Sequence, residues 1–234
     1  MSKLAVLDDL LAHYYQLAYH TRSDILSRLE DVQAWQKVRM QRTHRAHFAE
    51  KQNLLMSEYF LNRLYGGAAF DALAEQIARL MKYAHKAEKV IPENAIKTGT
   101  SGVELAILAV QLDEQVAIQL LQDYHPHEPL TDEMMRLTYL KLDQGEARLK
   151  QLALLDQLGM SLDKYMRSFV VYAAFKMCKG AANKYNFQVM YEFMQDGFLA
   201  MKPLKSAEKF VRTFTATERQ IIDKVHSGDP LPFQ

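Results

Sequence analysis

The chain has 234 residues, of which 49% are apolar and 24% charged, and its formal net charge is +1. That length can bury a sizeable core in one large domain or two small ones, and the near-neutral balance supplies no bulk field for nucleic acid or a membrane surface. The single cysteine, Cys178, excludes an intrachain disulfide and a thiolate metal cluster and fits a reducing compartment; in its apolar run it is expected to behave as a small hydrophobe with a raised pKa.

Helical spacing runs through almost the whole chain, and no alternating run bounded by turn dipeptides marks a strand. A first helix is expected from about Lys3 to Tyr19. The aspartates in its "LAVLDDLL" interrupt the apolar stretch that a signal peptide needs, so no export signal is read and the cytoplasm is the expected location. A long second helix starts near Ser23 and Asp24, with Ile25, Leu29, Val32, Gln36, Met40, Thr43 and His47 on one stripe. The stripe turns polar, so its far end should leave the core. A third helix holds "EYFLNRLYGG", and a fourth spans about Phe70 to His85. "IPENAIKTGTSG" then places Pro92 in a first turn, with a break or kink at Gly99 and Gly102. "YHPHEPLTD" reads as a loop ending in an N-cap at Thr131 or Asp132. Further helices are expected at about Glu133–Leu158, Leu162–Lys179, Lys184–Met201 and Ala207–Val225. Gly159 and Ser161 should end one helix and cap the next, and the capping-box spacing of Thr215 and Glu218 breaks the last. "FVVYAAFKMC" is the longest nearly apolar run, far short of the roughly 20 residues that span a bilayer. These elements make an all-α protein, one domain over residues 1–234 with roughly eight to ten helices by spacing. Two helical subdomains meeting near 125–131 are the alternative.

In "EYFLNRLYGG", Tyr59, Phe60, Leu61, Leu64 and Tyr65 cover a helical arc broad enough to touch two neighbours. Gly66 is placed to close the helix in the left-handed conformation, and Gly67 lets the chain turn. The motif is therefore read as structural, a buried last turn with a glycine stop. "YFLNRLYGG" also resembles the signature of the FFLEELY-motif proteins, a bacterial family of uncharacterised helical proteins. "WQKVRM", "LLDQLGMSLDKYM", "VMYEFMQDGFLAMKPLKSAEKF" and "ERQIIDKVHSGDPLPF" extend the likeness over most of the chain. Asn62 and Arg63 stand where the signature is acidic, and Tyr59 where it has phenylalanine. The resemblance implies a helical fold and brings no activity, cofactor or ligand.

Three groups of residues could carry chemistry. His44 and His47, three apart on the second helix, could share a metal with a third ligand. Asp123, His125, His127 and Glu128 crowd one loop, with both imidazoles on one side of an extended segment, although a proline-bounded polar loop looks the same. Trp35, Arg39 and Arg42, continued by Arg45, form a row that could bind phosphate or pack as a tryptophan with arginines bonded to carboxylates. Without a basic surplus nucleic acid is not expected, and neither a cofactor nor a tightly held metal is expected. No nucleophile–base–acid set, glycine-rich phosphate loop or nucleophile elbow is legible.

The residues Met160–Met201 hold six of the twelve methionines and nine of the twenty-four aromatic residues, which reads as core or as a pocket for a flat or fatty molecule. Between Thr98 and Met135 lie seven carboxylates and no lysine or arginine, balanced by basic surpluses over Val32–Lys51 and Lys176–Arg212. If the signs end on separate faces, a homodimer or a protein partner follows; if not, acidic helices lie beside basic ones. The functional reading is a non-catalytic interaction or adaptor module, with a binder of an apolar small molecule as the alternative.

Overall fold

The computed structural model describes residues 4–65, 68–87, 93–165 and 168–234. Its α-helices are α1 (Ala5–Tyr14), α2 (Ser23–Thr43), α3 (Arg45–Ala49), α4 (Leu54–Tyr59), α5 (Ala68–Ala87), α6 (Glu93–Asp123), α7 (Asp132–Leu142), α8 (Gly145–Tyr165), α9 (Phe169–Met177), α10 (Lys179–Lys184), α11 (Gln188–Met201) and α12 (Ala207–His226). A 3-10 turn, Ala18–His20, precedes α2, and a π-helical turn, Phe60–Leu64, continues α4. The described residues contain no strand, and the protein is all-α.

Two buried clusters make the core. The first gathers Leu7, Leu11 and Tyr14 of α1, Ile25, Leu29 and Val32 of α2, and Ile107, Val116 and Leu120 of α6, with α7 and the tail residue Phe233. The second joins Met40, Phe48, Met56, Phe60 and Leu61 to Leu155 of α8 and Phe210, Val211 and Phe214 of α12. Helix α2 enters both clusters, and so does α12, through Ile221 and Val225 at one end and its phenylalanines at the other. These two helices stitch the halves together, because each carries one apolar stripe longer than either cluster.

Several helix ends follow from local chemistry. Thr131 caps α7 by accepting from the Met134 N–H at 3.2 Å, as expected. Ser206 caps α12, and the Asp163 carboxylate accepts two more of its free N–H groups, from Ala207 and Glu208. A carboxylate there also faces the positive end of the helix dipole.

Other boundaries differ from the expectation. Helix α6 runs unbroken through Gly99 and Gly102, which have open space where a Cβ would stand; each costs the helix roughly 1 kcal/mol against alanine, and 31 residues of helix absorb it. Helix α8 passes through Gly159 and Ser161. The break falls earlier, at Asp143, a residue in the left-handed region at φ 47°. Gly159 serves close packing instead: a Cβ there would stand 3.0 Å from Val211, and one on Gly145 would stand 3.0 Å from the His226 ring. The two glycines let α8 approach α12 along its length. The last helix does not break at Thr215 either, whose hydroxyl donates to Asp156 of α8 at 2.7 Å. The helix expected over Lys3–Tyr19 ends at Tyr14, that over Leu162–Lys179 falls across α8, α9 and α10, and that over Lys184–Met201 starts only at Gln188, after Asn186 at φ 59°. Pro92 and the expected glycine stop at Gly66 lie outside the described residues.

Candidate functional site

The polar end of the α2 stripe stays inside the protein, contrary to expectation. Arg39, 6% exposed, bonds the Glu218 carboxylate of α12, and its Nη2 donates to Gln36 at 2.7 Å. His44 reaches the same Glu218 oxygen at 2.6 Å, its ring packed against both Phe48 and Phe214. Gln36 in turn donates to the Tyr139 hydroxyl at 2.6 Å. The stripe turns polar because α12 presents an acid to it.

Burial alone would raise the Glu218 carboxyl; the Arg39 charge and the His44 and Arg39 hydrogen bonds outweigh it and hold the pKa at about 2, against an ordinary 4.5. A depressed carboxyl stabilises the fold fully above its unfolded pKa and loses that contribution as pH falls through the folded one. Urea unfolding should therefore show Glu218→Gln less stable than the parent at pH 7, with the difference closing between pH 4.5 and 2. A difference that persists unchanged at pH 2 would show that the carboxylate charge is not what matters.

The remaining candidates are placed as follows. Arg42 bonds Asp132 at 2.6 Å, and the Trp35 indole donates to the same carboxylate at 3.2 Å while packing against Phe233. The row Trp35, Arg39, Arg42 is thus divided between a buried ion pair and a helix–helix clamp, rather than laid out as one face. His44 and His47 do not converge on a metal position: His47 bonds the Phe210 carbonyl at 3.1 Å, and burial lowers its pKa. His125 and His127 are exposed, their rings 5.8 Å apart. Among the described residues no three His, Cys, Asp or Glu side chains gather to hold a metal ion.

The residues of "EYFLNRLY" hold three elements together. Phe60 and Leu61 are buried, with the Phe60 ring 4.7 Å from Phe214. The Tyr59 hydroxyl donates to the Phe193 carbonyl at 3.1 Å, and Arg63, in place of an acid, donates to Asp196 at 2.9 Å, so both anchor α11. Tyr65 donates to Asp113 of α6 at 2.6 Å. Leu64 is half-buried beside the second cluster.

A cavity of about 60 Å³ opens beside the Arg39–Glu218 pair, between α2, α7, α8 and α12. Arg148 of α8 enters it, its guanidinium 4.5 Å above the Tyr139 ring. Its Nε and Nη2 atoms are shut off from solvent and have no hydrogen-bond partner. Asp113 lies close enough for Arg148 to oppose the rise that burial imposes on its carboxyl, with Tyr65 as the hydrogen-bond donor to it.

The methionine- and aromatic-rich segment is divided: Phe198, Ala200 and Met201 at the end of α11 are core, whereas α9 is not. Helix α9 buries none of its nine residues; Phe169 is 82% exposed, Val170 74% and Met177 85%. Its inner side rests on α11 through Phe175, whose ring stacks on Tyr191 at 4.4 Å, and Tyr172, 5.1 Å from Phe198. Those rings fill one another's space, so this region offers a surface rather than a pocket. Cys178 is exposed at its end, where a buried thiol had been expected. Lys176, Lys179 and Lys184 lie along the same stretch, which has no acid from Ser168 to Phe187.

The acidic segment is largely neutralised within the chain. Glu104 pairs with Lys150, Asp123 with Lys141, Asp132 with Arg42 and Glu133 with Arg136, while Glu114 accepts the Tyr19 N–H. No helix among the described residues is long and apolar enough to cross a membrane.

Spacing could have found Glu218, because it lies on the α12 stripe with Phe214, Ile221 and Val225, and an acid inside an apolar stripe demands a buried partner. Nothing local distinguishes Arg148.

The model of a family described as a domain of unknown function (DUF8198) matches residues 16–232, and the chain belongs to that family. No curated protein and no solved structure matches it.

Proposed function

We propose that the protein is a non-catalytic interaction module whose contact surface is the exposed face of α9 and α10, and that its partner is an acidic amphipathic segment of another protein. The observation that carries this reading is a nine-residue apolar helix with nothing buried. Leaving Phe169, Val170 and Met177 in water forgoes roughly 1.5–3 kcal/mol for each side chain that a partner could cover, and contiguous apolar patches of this kind mark contact sites.

Charge selects the partner's chemistry. Lys176, Lys179 and Lys184 line the apolar face, so a second copy set against it would oppose like charges, whereas an acidic helix would complement them. The chain's own acidic segment is largely occupied by internal partners, and the stretch from Ser168 to Phe187 carries lysines and no acid of its own. The motif "YFLNRLYGG" supports placing the chain with the FFLEELY-motif proteins of bacteria, and the lone exposed thiol of Cys178 supports a reducing cytoplasm.

A synthetic amphipathic helix with leucine at i, i+3, i+4 and i+7 and glutamate elsewhere tests the reading. Amide shifts should concentrate in residues 168–187, saturate, weaken as salt rises, and vanish in a Val170→Asp/Met177→Asp variant. Binding to anionic vesicles in preference to the peptide, or peptide shifts that survive the double substitution, would refute it.

A further inference from the structure

We infer that the cavity beside the Arg39–Glu218 pair is a binding site for a small organic monocarboxylate, received by Arg148. Nε and Nη2 are the two donors on one edge of a guanidinium, the side-on fork that meets both oxygens of a carboxylate. In Arg148 those two atoms are the ones buried and without a partner. Leaving them so in the free protein is costly, since buried donors of charged groups are among the most expensive to leave unmet. The Tyr139 ring lies 4.5 Å from the guanidinium carbon, a cation–π contact that restrains Arg148 before a ligand arrives.

The size and lining set the ligand class. A water needs roughly 10–15 Å³ of such space, so a cavity of about 60 Å³ takes about four waters, or a ligand of roughly four to six heavy atoms. Polar walls come from Gln36, Arg39 and Gln151, and apolar walls from Leu152, Ile221 and Val225. A carboxylate on a short hydrocarbon body uses both. Phosphate fits less well on two counts: it offers nothing to the apolar wall, and its second negative charge faces Glu218, which lines the same cavity. Arg39 is already committed to Glu218 and Asp113 stands near Arg148, so the unpartnered Nε and Nη2 fork can take no more than one anionic charge. Ile222 and His226 also line the cavity, and His226 is exposed, which gives the site an open edge.

The test uses the full chain titrated with acetate, butyrate and inorganic phosphate at constant ionic strength, followed by calorimetry and by the Arg148 Nε–H resonance. Butyrate is expected to bind saturably and more tightly than acetate, to move that resonance, and to lose at least tenfold in affinity in Arg148→Met. Ile222→Phe, which narrows the cavity without touching Arg148, should weaken butyrate more than acetate, and it provides the same test if Arg148→Met fails to fold. Phosphate binding more tightly than butyrate would overturn the carboxylate assignment. Absence of saturable carboxylate binding, or butyrate affinity unchanged by either substitution, would overturn the site.

Discussion

Replacing Glu218 with leucine should destabilise the protein by about 3–5 kcal/mol, the usual cost of breaking a buried ion pair by removing one partner. The loss arises on the other side of the pair. Arg39 is 6% exposed, and without Glu218 its guanidinium keeps only the Gln36 oxygen as an acceptor, in surroundings that penalise a bare charge. His44 loses its acceptor in the same step. The double variant Arg39→Met/Glu218→Leu removes the charge with its partner and should recover most of the loss, because a buried pair contributes little net stability over apolar groups of similar volume. Chemical denaturation of the parent, both single variants and the double variant closes the cycle. A double variant as unstable as the sum of the singles would mean that the site needs its charges for more than mutual satisfaction.

Phe60→Ala should cost a comparable amount, about 3–5 kcal/mol, and lower the melting temperature by on the order of 10 °C. Phe60 sits at the π-helical turn, with its ring 4.7 Å from Phe214 and 6.5 Å from Phe210. The space it leaves can close only if α4 moves toward α12, and the Tyr59 and Arg63 bonds to α11 hold α4 in place. An alanine variant that melts with the parent would show that the second cluster repacks freely.

The architecture was legible wherever a segment's own residues decide its structure. The α2 and α12 starts and the Thr131 cap follow from spacing and from side-chain oxygens within a few residues. The errors cluster where a local signal has two physical meanings. Gly159 between two apolar runs reads as a helix stop, but the same missing Cβ permits Val211 to approach, and only the placement of α12 decides between them. Thr215 and Glu218 have capping-box spacing, yet their side chains are directed to Asp156 and Arg39 on other helices.

The site residues show the same limit at longer range. The Trp35, Arg39 and Arg42 row was visible, but Arg39 and Glu218 are 179 residues apart, and nothing in the α2 spacing names its acceptor. Within Met160–Met201 composition matches a core throughout, yet Phe198 and Met201 are buried while Phe169 and Met177 are exposed, and composition cannot tell a buried helix from one that awaits a partner.

The claim that α9 is covered by an acidic partner is tested most directly by a photo-crosslinking residue placed at Val170 in the source cells. A control position at Val38, 62% exposed on α2, reports nonspecific adducts. The expected result is one discrete adduct at Val170, absent at Val38 and lost when Lys176 and Lys179 are changed to glutamate, whose crosslinked peptide is acidic and amphipathic. An adduct of this chain with itself, or a pattern at Val170 identical to that at Val38, would contradict the account.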